Sequence, residues 1–382
     1  MTSRRLVLAD QHPLVPFTVQ GWQFACRAAS FAGHWTGPVS LWLPGPELPD
    51  SALNLRFPEG IPAGFSIRFG PKPEMQIAGM RFRSKLPLRR WFRLQTSKLT
   101  KDGEPLLFYF RTLRVAAAFL PALKAARIPF VFEPHEIFYE AAREPEKMMK
   151  LEKEIYSAAR HLFPISTALS AAIRAQLGIS TPQTVAPLGH SGVNLSVPDY
   201  DPAASPRFLY IGSLLGWKGL DTAMAATAGS GIPFDIVGDA GGLKRYQSLC
   251  NEKGWSHVIF HGERPPEELP AFYHPGTICL LPLSGEKIAT TYTSPLKLFE
   301  YLAAGRPVIV GNLPSIKELV QDRIHVRMAA PGDIGEWKSV VAELLASPEE
   351  ASELARNARE LGQTCTWNER ARTLTETLKQ LT

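Results

Sequence analysis

Short apolar runs and longer stretches of helical periodicity take turns along most of the chain. RLVLA (5–9), LLFYF (106–110), PFVFE (129–133), RFLYIG (207–212), FDIVG (234–238), HVIFHG (257–262), TICLLPL (277–283) and PVIV (307–310) are β-branched or aromatic. Gly, Pro or polar residues bound them, which predicts buried strands. Helical patterns lie between, over Thr18–Ala32, Arg114–Ala126, Pro145–Ala159, Ser166–Leu177, Leu220–Gly229 and Leu243–Lys253. This alternation predicts an α/β protein with doubly wound parallel sheets and helices on both faces. The pattern breaks at GHSGVNLSVPDYDPAASP, residues 189–206. Its Gly, Pro, Ser and Asp content reads as a linker between two domains, 1–188 and 207–365. The tail from Ser347 to Thr382 reads as helical, interrupted around Gly362. Its last part, 366–382, is expected to pack back on the first domain.

The 382 residues suffice for two domains, and an apolar content of 45% supports two real cores. Cys26, Cys250, Cys279 and Cys365 are far apart with no C-x-x-C pair. That argues against a zinc site or a disulfide framework and suits a reducing cytoplasm. No run approaches the ~20 apolar residues of a membrane span, and the start, MTSRRLVLADQHPLV, has too short an apolar run for a signal peptide. The net charge of +6 is unevenly shared. Residues 1–190 carry 24 Lys and Arg against 14 Asp and Glu, and residues 191–382 carry 18 against 22. Met80–Lys101 alone holds eight basic residues and no acid.

TSPLKLFEYLAAGRPVIV (293–310) carries the first candidate chemistry. Ser294 reads as an N-cap, Pro295 as the first helical residue and Gly305 as the residue that closes the helix. The helix start comes after the carboxyl end of a strand, the edge where open α/β sheets bind ligands. A helix N-terminus carries about half a positive charge, so Lys297 in the first turn adds repulsion. Either that ammonium extends into water, or an anion such as a diphosphate sits there. Glu300 is either a surface carboxylate or an acceptor for the two hydroxyls of a ribose. In LYIGSLLGWKGLD (209–221), Lys218 places another cation at a strand-to-helix crevice, where it would neutralise phosphate as a point charge. Asp199 and Asp201 form a D-x-D, read here as turn residues of the linker.

GSLLGWKG, FDIVGD, VIFHGERPPEELPAFY and SPLKLFEYLAAGRPVIV, in that order, resemble the nucleotide-binding domain of family-4 retaining glycosyltransferases of the group 1 type. In the front half, FEPHEIFYE (132–140) resembles the D-x-H-E segment of one branch of that family. LEKEIYSAARHLFPISTAL is similar to the helix, strand and serine next to that segment in the family. The resemblance covers most of the chain and weakens between about Pro44 and Leu106. It implies a GT-B fold, two Rossmann-like domains facing each other across a cleft. It also implies transfer of a sugar from a nucleoside-diphosphate sugar to an acceptor hydroxyl, with retention and with no metal or other cofactor. Cell-surface polysaccharide or glycolipid synthesis is the implied setting.

Residue by residue, the resemblance implies that Glu300 holds the donor ribose and that Lys218 holds the diphosphate. Ser294 and Leu296 would offer helix-start backbone to the β-phosphate, and Gly21 would lie where a glycine-containing loop opens the first helix and faces the diphosphate across the cleft. His135 would face the donor sugar near the reacting carbon, and the base would be read around Glu263 and Arg264. His135, Lys218 and Glu300 are the implied catalytic set. Two positions depart from the pattern. Tyr292 stands where the first glutamate of E-x7-E is expected, and Ser213 where an arginine is expected. Lys297 is expected to replace that arginine's charge. Strand geometry puts Glu133 and His135 on one face and Glu136 elsewhere, and none is assigned as a nucleophile. A nucleotide-sugar epimerase on the same fold and a non-catalytic nucleotide-sugar-binding or scaffold relative are the competing readings.

In Met80–Lys101, cations interleave with Phe82, Leu86, Leu88, Trp91, Phe92 and Leu94. One reading is an interfacial segment on anionic lipid. The other is a solvated helix with its apolar side in the core, since Pro87 would interrupt a long amphipathic helix. The expected partners are thus a nucleoside-diphosphate sugar, a lipid-linked or acidic acceptor and a peripheral membrane contact through residues 80–101, on the inner face of the membrane. No nucleic-acid-binding module accompanies the charge, so nucleic acid is not expected as a partner.

Overall fold

A computed structural model describes residues 4–14, 19–49, 53, 57, 60–71, 74–77, 80–83, 86–101, 103–191, 196–287 and 292–381. The start of the first predicted helix, Thr18, lies outside them, as do positions 84 and 85 of the basic stretch. The chain divides into two compact units, Met1–Pro187 with Trp367–Thr382, and Leu188–Thr366.

The first unit is built on six parallel strands: β1 (Arg5–Ala9), β2 (Val39–Pro44), β3 (Phe65–Gly70), β6 (Leu106–Phe110), β7 (Phe130–Phe132) and β8 (His161–Leu162). A separate antiparallel pair joins β4 (Glu74–Ile77) to β5 (Met80–Arg83). The sheet order is β3-β2-β1-β6-β7-β8. Winding runs outward from β1 to β3, then restarts at β6 on the other side of β1. Alternation along β2 covers both faces: Leu41 and Leu43 join one core, while Trp42 stacks with Phe92 and packs edge-on to Phe108 on the other. Helix α1 (Val19–Ser30) and the last helix, α12 (Trp367–Gln380), supply Phe24, Ala25, Leu374 and Leu378 to the first core. Helices α2 (Leu86–Lys101) and α3 (Leu113–Ala126) supply Phe92 and Phe119, whose ring centroids lie 4.0 Å apart. Such aromatic pairs contribute roughly 0.5–1.5 kcal/mol each beyond area burial. Pro87 does not break α2. It is the second residue of the helix, where its missing N–H costs nothing. Helices α4 (Pro145–Ala158) and α5 (Thr167–Leu177) complete the unit, α5 capped by Ser166 through the Leu169 amide.

The second unit repeats the winding. Strands β9 (Arg207–Ile211), β10 (Phe234–Val237), β11 (Val258–Gly262), β12 (Thr277–Leu281), β13 (Val308–Gly311) and β14 (Arg327–Ala329) lie in the order β11-β10-β9-β12-β13-β14, all parallel. Phe208 and Tyr210 enter one core with α6 (Leu220–Thr227), α7 (Leu243–Lys253) and α10 (Ile334–Ala346). Leu209 and Ile211 enter the other, with α8 (Leu296–Ala303), α9 (Pro314–Lys317) and α11 (Pro348–Thr364). Both units are therefore doubly wound α/β, as the apolar pattern predicts.

The stretch 189–206, read from sequence as a linker, sorts with the second unit. His190 bridges to Thr366 and its ring bonds the Gly362 carbonyl at 2.9 Å. The fully buried Arg306 donates to the Pro198 carbonyl at 2.7 Å. Asp199 pairs with Arg359, and Asp201 accepts from the Ala203 amide, so both D-x-D carboxylates serve local structure. The tail breaks at Cys365 and Thr366, between α11 and α12, rather than at Gly362. Gly362 instead lets α11 approach α8: a Cβ there would lie 2.4 Å from the Ala303 nitrogen.

Candidate functional site

In the second unit the winding reverses between β9 and β12, the place where a doubly wound sheet leaves a crevice at its carboxyl edge. The loops after these strands meet there. The Ser284 amide donates to the Trp217 carbonyl at 3.0 Å. Gly219 has φ +66, and a Cβ on it would sit 2.4 Å from the Pro282 carbonyl oxygen. Gly238, after β10, has φ +129 and leaves no room for a Cβ beside the Gly212 carbonyl, 2.0 Å away. Only glycine satisfies both the dihedral and the contact at these positions.

Lys218 ends the 3-10 turn Gly216–Lys218 directly before α6. Its ammonium lies 3.8 Å from the centroid of the Trp217 ring. Among the described residues no carboxylate pairs with it, and burial pushes its pKa down to about 8. A half-buried ammonium held over an aromatic face without a counter-ion is a site where an anion would be stabilised.

The helix after β12 differs from the sequence reading in detail. Pro295, not Ser294, occupies the cap, and Leu296 is the first helical residue. Ser294 is buried, and its hydroxyl accepts from the Leu188 amide at 2.9 Å instead of capping. The helix closes past Gly305, whose amide donates to Leu302 while that of Arg306 donates to Tyr301. Tyr301 ties α8 to the end of β9, its hydroxyl 2.7 Å from the Ile211 amide. Lys297 neither extends into water nor stands alone: its ammonium donates to Glu300 one turn on. The cation in the first turn is thus compensated within the helix, and the carboxylate expected to take a ribose is shared with it. Tyr292 is buried beside α8, with the Lys287 ammonium 5.7 Å from its ring. The main-chain carbonyl of Ser213 accepts from the Tyr210 hydroxyl at 2.8 Å.

Lys218 and Ser294 therefore belong to the two loops that join at the β9–β12 reversal, and Leu296, Lys297 and Glu300 to the helix that the second loop enters. Glu263 and Arg264 do not. They are exposed just past the end of β11, the outer strand of that sheet. Arg264 donates to the His261 carbonyl at 3.1 Å and lies 3.6 Å from Glu268.

Gly21 and His135 are in the first unit. Gly21 is buried inside α1, not in a loop before it. His135 comes after β7, and its Nε2 lies 2.6 Å from Oε1 of Glu133. Glu133 is fully buried and is also held by Arg27, by the Tyr109 hydroxyl and by Arg370 at 2.9 Å. Burial alone would raise its pKa, but Arg27 and Arg370, with His135, outweigh it and hold the carboxyl well below the usual range. Burial lowers the His135 pKa, and the charges of Arg111 and Arg27 add to that against the pull of Glu133.

Residues 201–361 match the model of the glycosyl transferases group 1 family. Over this segment, which is less than half of the chain, the sequence is similar to that family. The match spans the whole β9–β14 sheet and both loops of the crevice. Sucrose-phosphate synthase from Thermosynechococcus elongatus is 18% identical, with a TM-score of 0.72 over 99% of both chains. HepE from Anabaena, solved with UDP and glucose, is 16% identical with a TM-score of 0.74, over 99% of this chain and 100% of that one. These likenesses show the fold, GT-B with two Rossmann-like domains. TuaH of Bacillus subtilis (strain 168), assigned by name to teichuronic acid biosynthesis as a glycosyltransferase, is 35% identical over 69 residues. That stretch is 18% of this chain and 17% of TuaH.

The state of Lys218 is measurable. Reductive methylation with 13C-formaldehyde and NMR titration is expected to give one lysine with a midpoint of about 8. Its loss in Lys218→Arg assigns it. A midpoint at the ordinary lysine value of about 10.4 would contradict the half-buried ammonium without a described carboxylate partner.

Proposed function

We propose that this protein is a retaining glycosyltransferase that moves a sugar from a nucleoside-diphosphate sugar to an acceptor hydroxyl without a metal ion. The observation that carries the reading is Lys218, an ammonium without a carboxylate partner among the described residues, at the winding reversal of a group 1 family domain. As the sugar–phosphate bond breaks, negative charge grows on the departing diphosphate. Preorganised cations and amides lower the barrier where that charge develops. Lys218 supplies the cation. The α8 start at Leu296 supplies free N–H groups and the positive end of the helix dipole. Glu300 takes the ribose hydroxyls, and Lys297, already bonded to it, orients the carboxylate and adds positive potential beside the diphosphate. Gly21 and His135 contribute from the first unit, the latter toward the sugar, and the main chain near Glu263 and Arg264 meets the base.

HepE, solved with UDP and glucose and also with UDP-glucose, supports a nucleotide-sugar donor. Retention and metal independence rest on the sequence resemblance. The buried Tyr292 and the neutral Ser213 favour one other reading, a relative that binds nucleotide sugar without turning it over. Hexose transfer into a cell-surface polysaccharide or glycolipid is the setting we propose.

On α2, Phe92, Thr96 and Leu99 are buried, while Arg90, Arg93, Leu94, Lys98 and Lys101 are exposed. One side of the helix thus packs in the core, and the other is a cationic face without a described acid. We propose that this face meets anionic lipid, worth roughly 1 kcal/mol per basic residue at the surface. No helix among the described residues is long and apolar enough to cross a membrane.

Calorimetry with UDP-, GDP-, ADP- and dTDP-linked sugars should find one micromolar-range donor, and turnover of that donor with acceptor should release its nucleoside diphosphate. Glu300→Ala is expected to weaken donor affinity ~10–100-fold, the range for losing hydrogen bonds to a charged acceptor. Unchanged affinity would remove Glu300 from the site, and tight binding without release under any acceptor would favour the non-catalytic reading. The cationic face predicts co-sedimentation with phosphatidylglycerol vesicles, reversed by salt and lost in an Arg90→Glu, Arg93→Glu, Lys98→Glu triple variant. Equal binding to neutral vesicles, or none, would end the lipid proposal.

A further inference from the structure

The carboxyl edge of the first sheet holds a constellation of which the proposed reaction uses only His135. Ala9, Phe110 and Phe132 are in register on the neighbouring strands β1, β6 and β7. The next residue on each strand is charged, giving a row of Asp10, Arg111 and Glu133. Both carboxylates are completely buried. Arg111 bonds Asp10 through its Nε, 2.5 Å away. Each acid has a histidine two residues later, in Asp10-Gln11-His12 and Glu133-Pro134-His135.

The two pairs are mirror uses of one device. His12 turns its Nδ1 to Asp10 Oδ1 at 2.5 Å, and Asp10 also accepts the His12 amide at 2.9 Å. His135 turns its Nε2 to Glu133 Oε1 at 2.6 Å. An ionised carboxylate only accepts, so the ring nitrogen facing it must carry the hydrogen; Arg111 Nη2, 3.3 Å from His12 Nδ1, is then a neighbour of that nitrogen and not a donor to it. The neutral ring then has its other nitrogen as an acceptor, and each imidazole is about a quarter exposed, at 27%. Strands β1 and β7 are separated by one strand, so the strand ends that carry the two acids lie ~10 Å apart by sheet spacing, about the span of a hexose with its hydroxyls. Arg370, from the last helix, completes the Glu133 site while also donating to the Pro187 and Ala186 carbonyls at 2.7 and 3.0 Å.

We infer that Asp10 and Glu133 are positioning residues that lock His12 and His135 in opposite tautomers, so that His12 Nε2 and His135 Nδ1 accept hydrogen bonds from hydroxyls of one bound sugar. The identity of the ligand rests on the sugar-transfer reading; the tautomers do not. His12 thereby becomes a specificity-determining residue. An acceptor nitrogen fixed in place rewards a hydroxyl and leaves a deoxy analogue facing an unmet acceptor.

The test is a long-range 1H–15N spectrum of ring-15N-histidine protein at pH 8, with His12→Asn and His135→Asn assigning the two rings. The expected result is hydrogen on Nδ1 of His12 and on Nε2 of His135, each as a single tautomer. Either ring with the opposite tautomer, or as a fast mixture, overturns the inference, and wild-type protein alone decides this. The best-binding nucleotide sugar is then compared with its bare nucleoside diphosphate. The sugar form should shift both acceptor nitrogens, and a bound nucleotide sugar that moves neither would overturn the shared site. Failure of every nucleotide sugar to bind would sink the transferase reading while the tautomer result stands or falls by itself. Glu133→Gln should return His135 to mixed tautomers and lower kcat ~10–100-fold, as loss of an orienting partner typically does. A folded variant with one tautomer and unchanged kcat would contradict the role.

Discussion

The reversal of winding in the second sheet is the constraint on which the site depends. Parallel strands need crossovers, and a chain that winds outward from β9 to β11 must return past β9 to start β12. The return leaves two neighbouring strands whose next segments depart in opposite directions. The loop ending in Lys218 and the one entering α8 are brought together there by main-chain contacts, through Ser284 and Trp217 and through the glycine at 219. Neither loop could approach the other with a side chain at that glycine. The Lys218 charge at this edge is thus positioned by topology before any ligand chemistry enters.

The two units share the winding but differ in the charge they hold at the carboxyl edge of the sheet. In the second, the ammonium of Lys218 has an aromatic ring beside it and no described carboxylate, so positive potential is left available. In the first, charge is buried and matched: Glu133 is surrounded by Arg27, Arg370, Tyr109 and His135, and Asp10 by Arg111 and His12. A buried carboxylate is costly unless paired and hydrogen-bonded, and removing one partner leaves an uncompensated charge. Such a network suits a part that must hold geometry. A nucleophile would need a free lone pair and a reachable oxygen, and Glu133 has neither.

Strand alternation was legible because each buried strand is a short apolar run, and FEPHE and SPLKLFEY were legible because their residue types are unusual in such runs. Three things were not. Ser294 looks like a cap in sequence, but Pro295 takes the cap and the hydroxyl goes to Leu188, a long-range contact that local propensity cannot foresee. Lys297 looks unpaired in sequence because repulsion from the helix dipole dominates until the carboxylate one turn on is set against it. The Glu133 network joins Arg27, Tyr109 and Arg370, the last 237 positions away, and only the return of α12 to the first unit assembles it. The signal that was present is the repeated acid-x-His after LVLA and FVF, at matched ends of two strands.

Amide hydrogen exchange with and without the tightest-binding nucleoside diphosphate tests the central claim most directly. The account predicts that slowed exchange in the second unit concentrates in residues 212–219 and 292–300, the loop that ends in Lys218 and the entry and first turns of α8. Slowed exchange elsewhere in that unit, with these two segments unchanged, would contradict it.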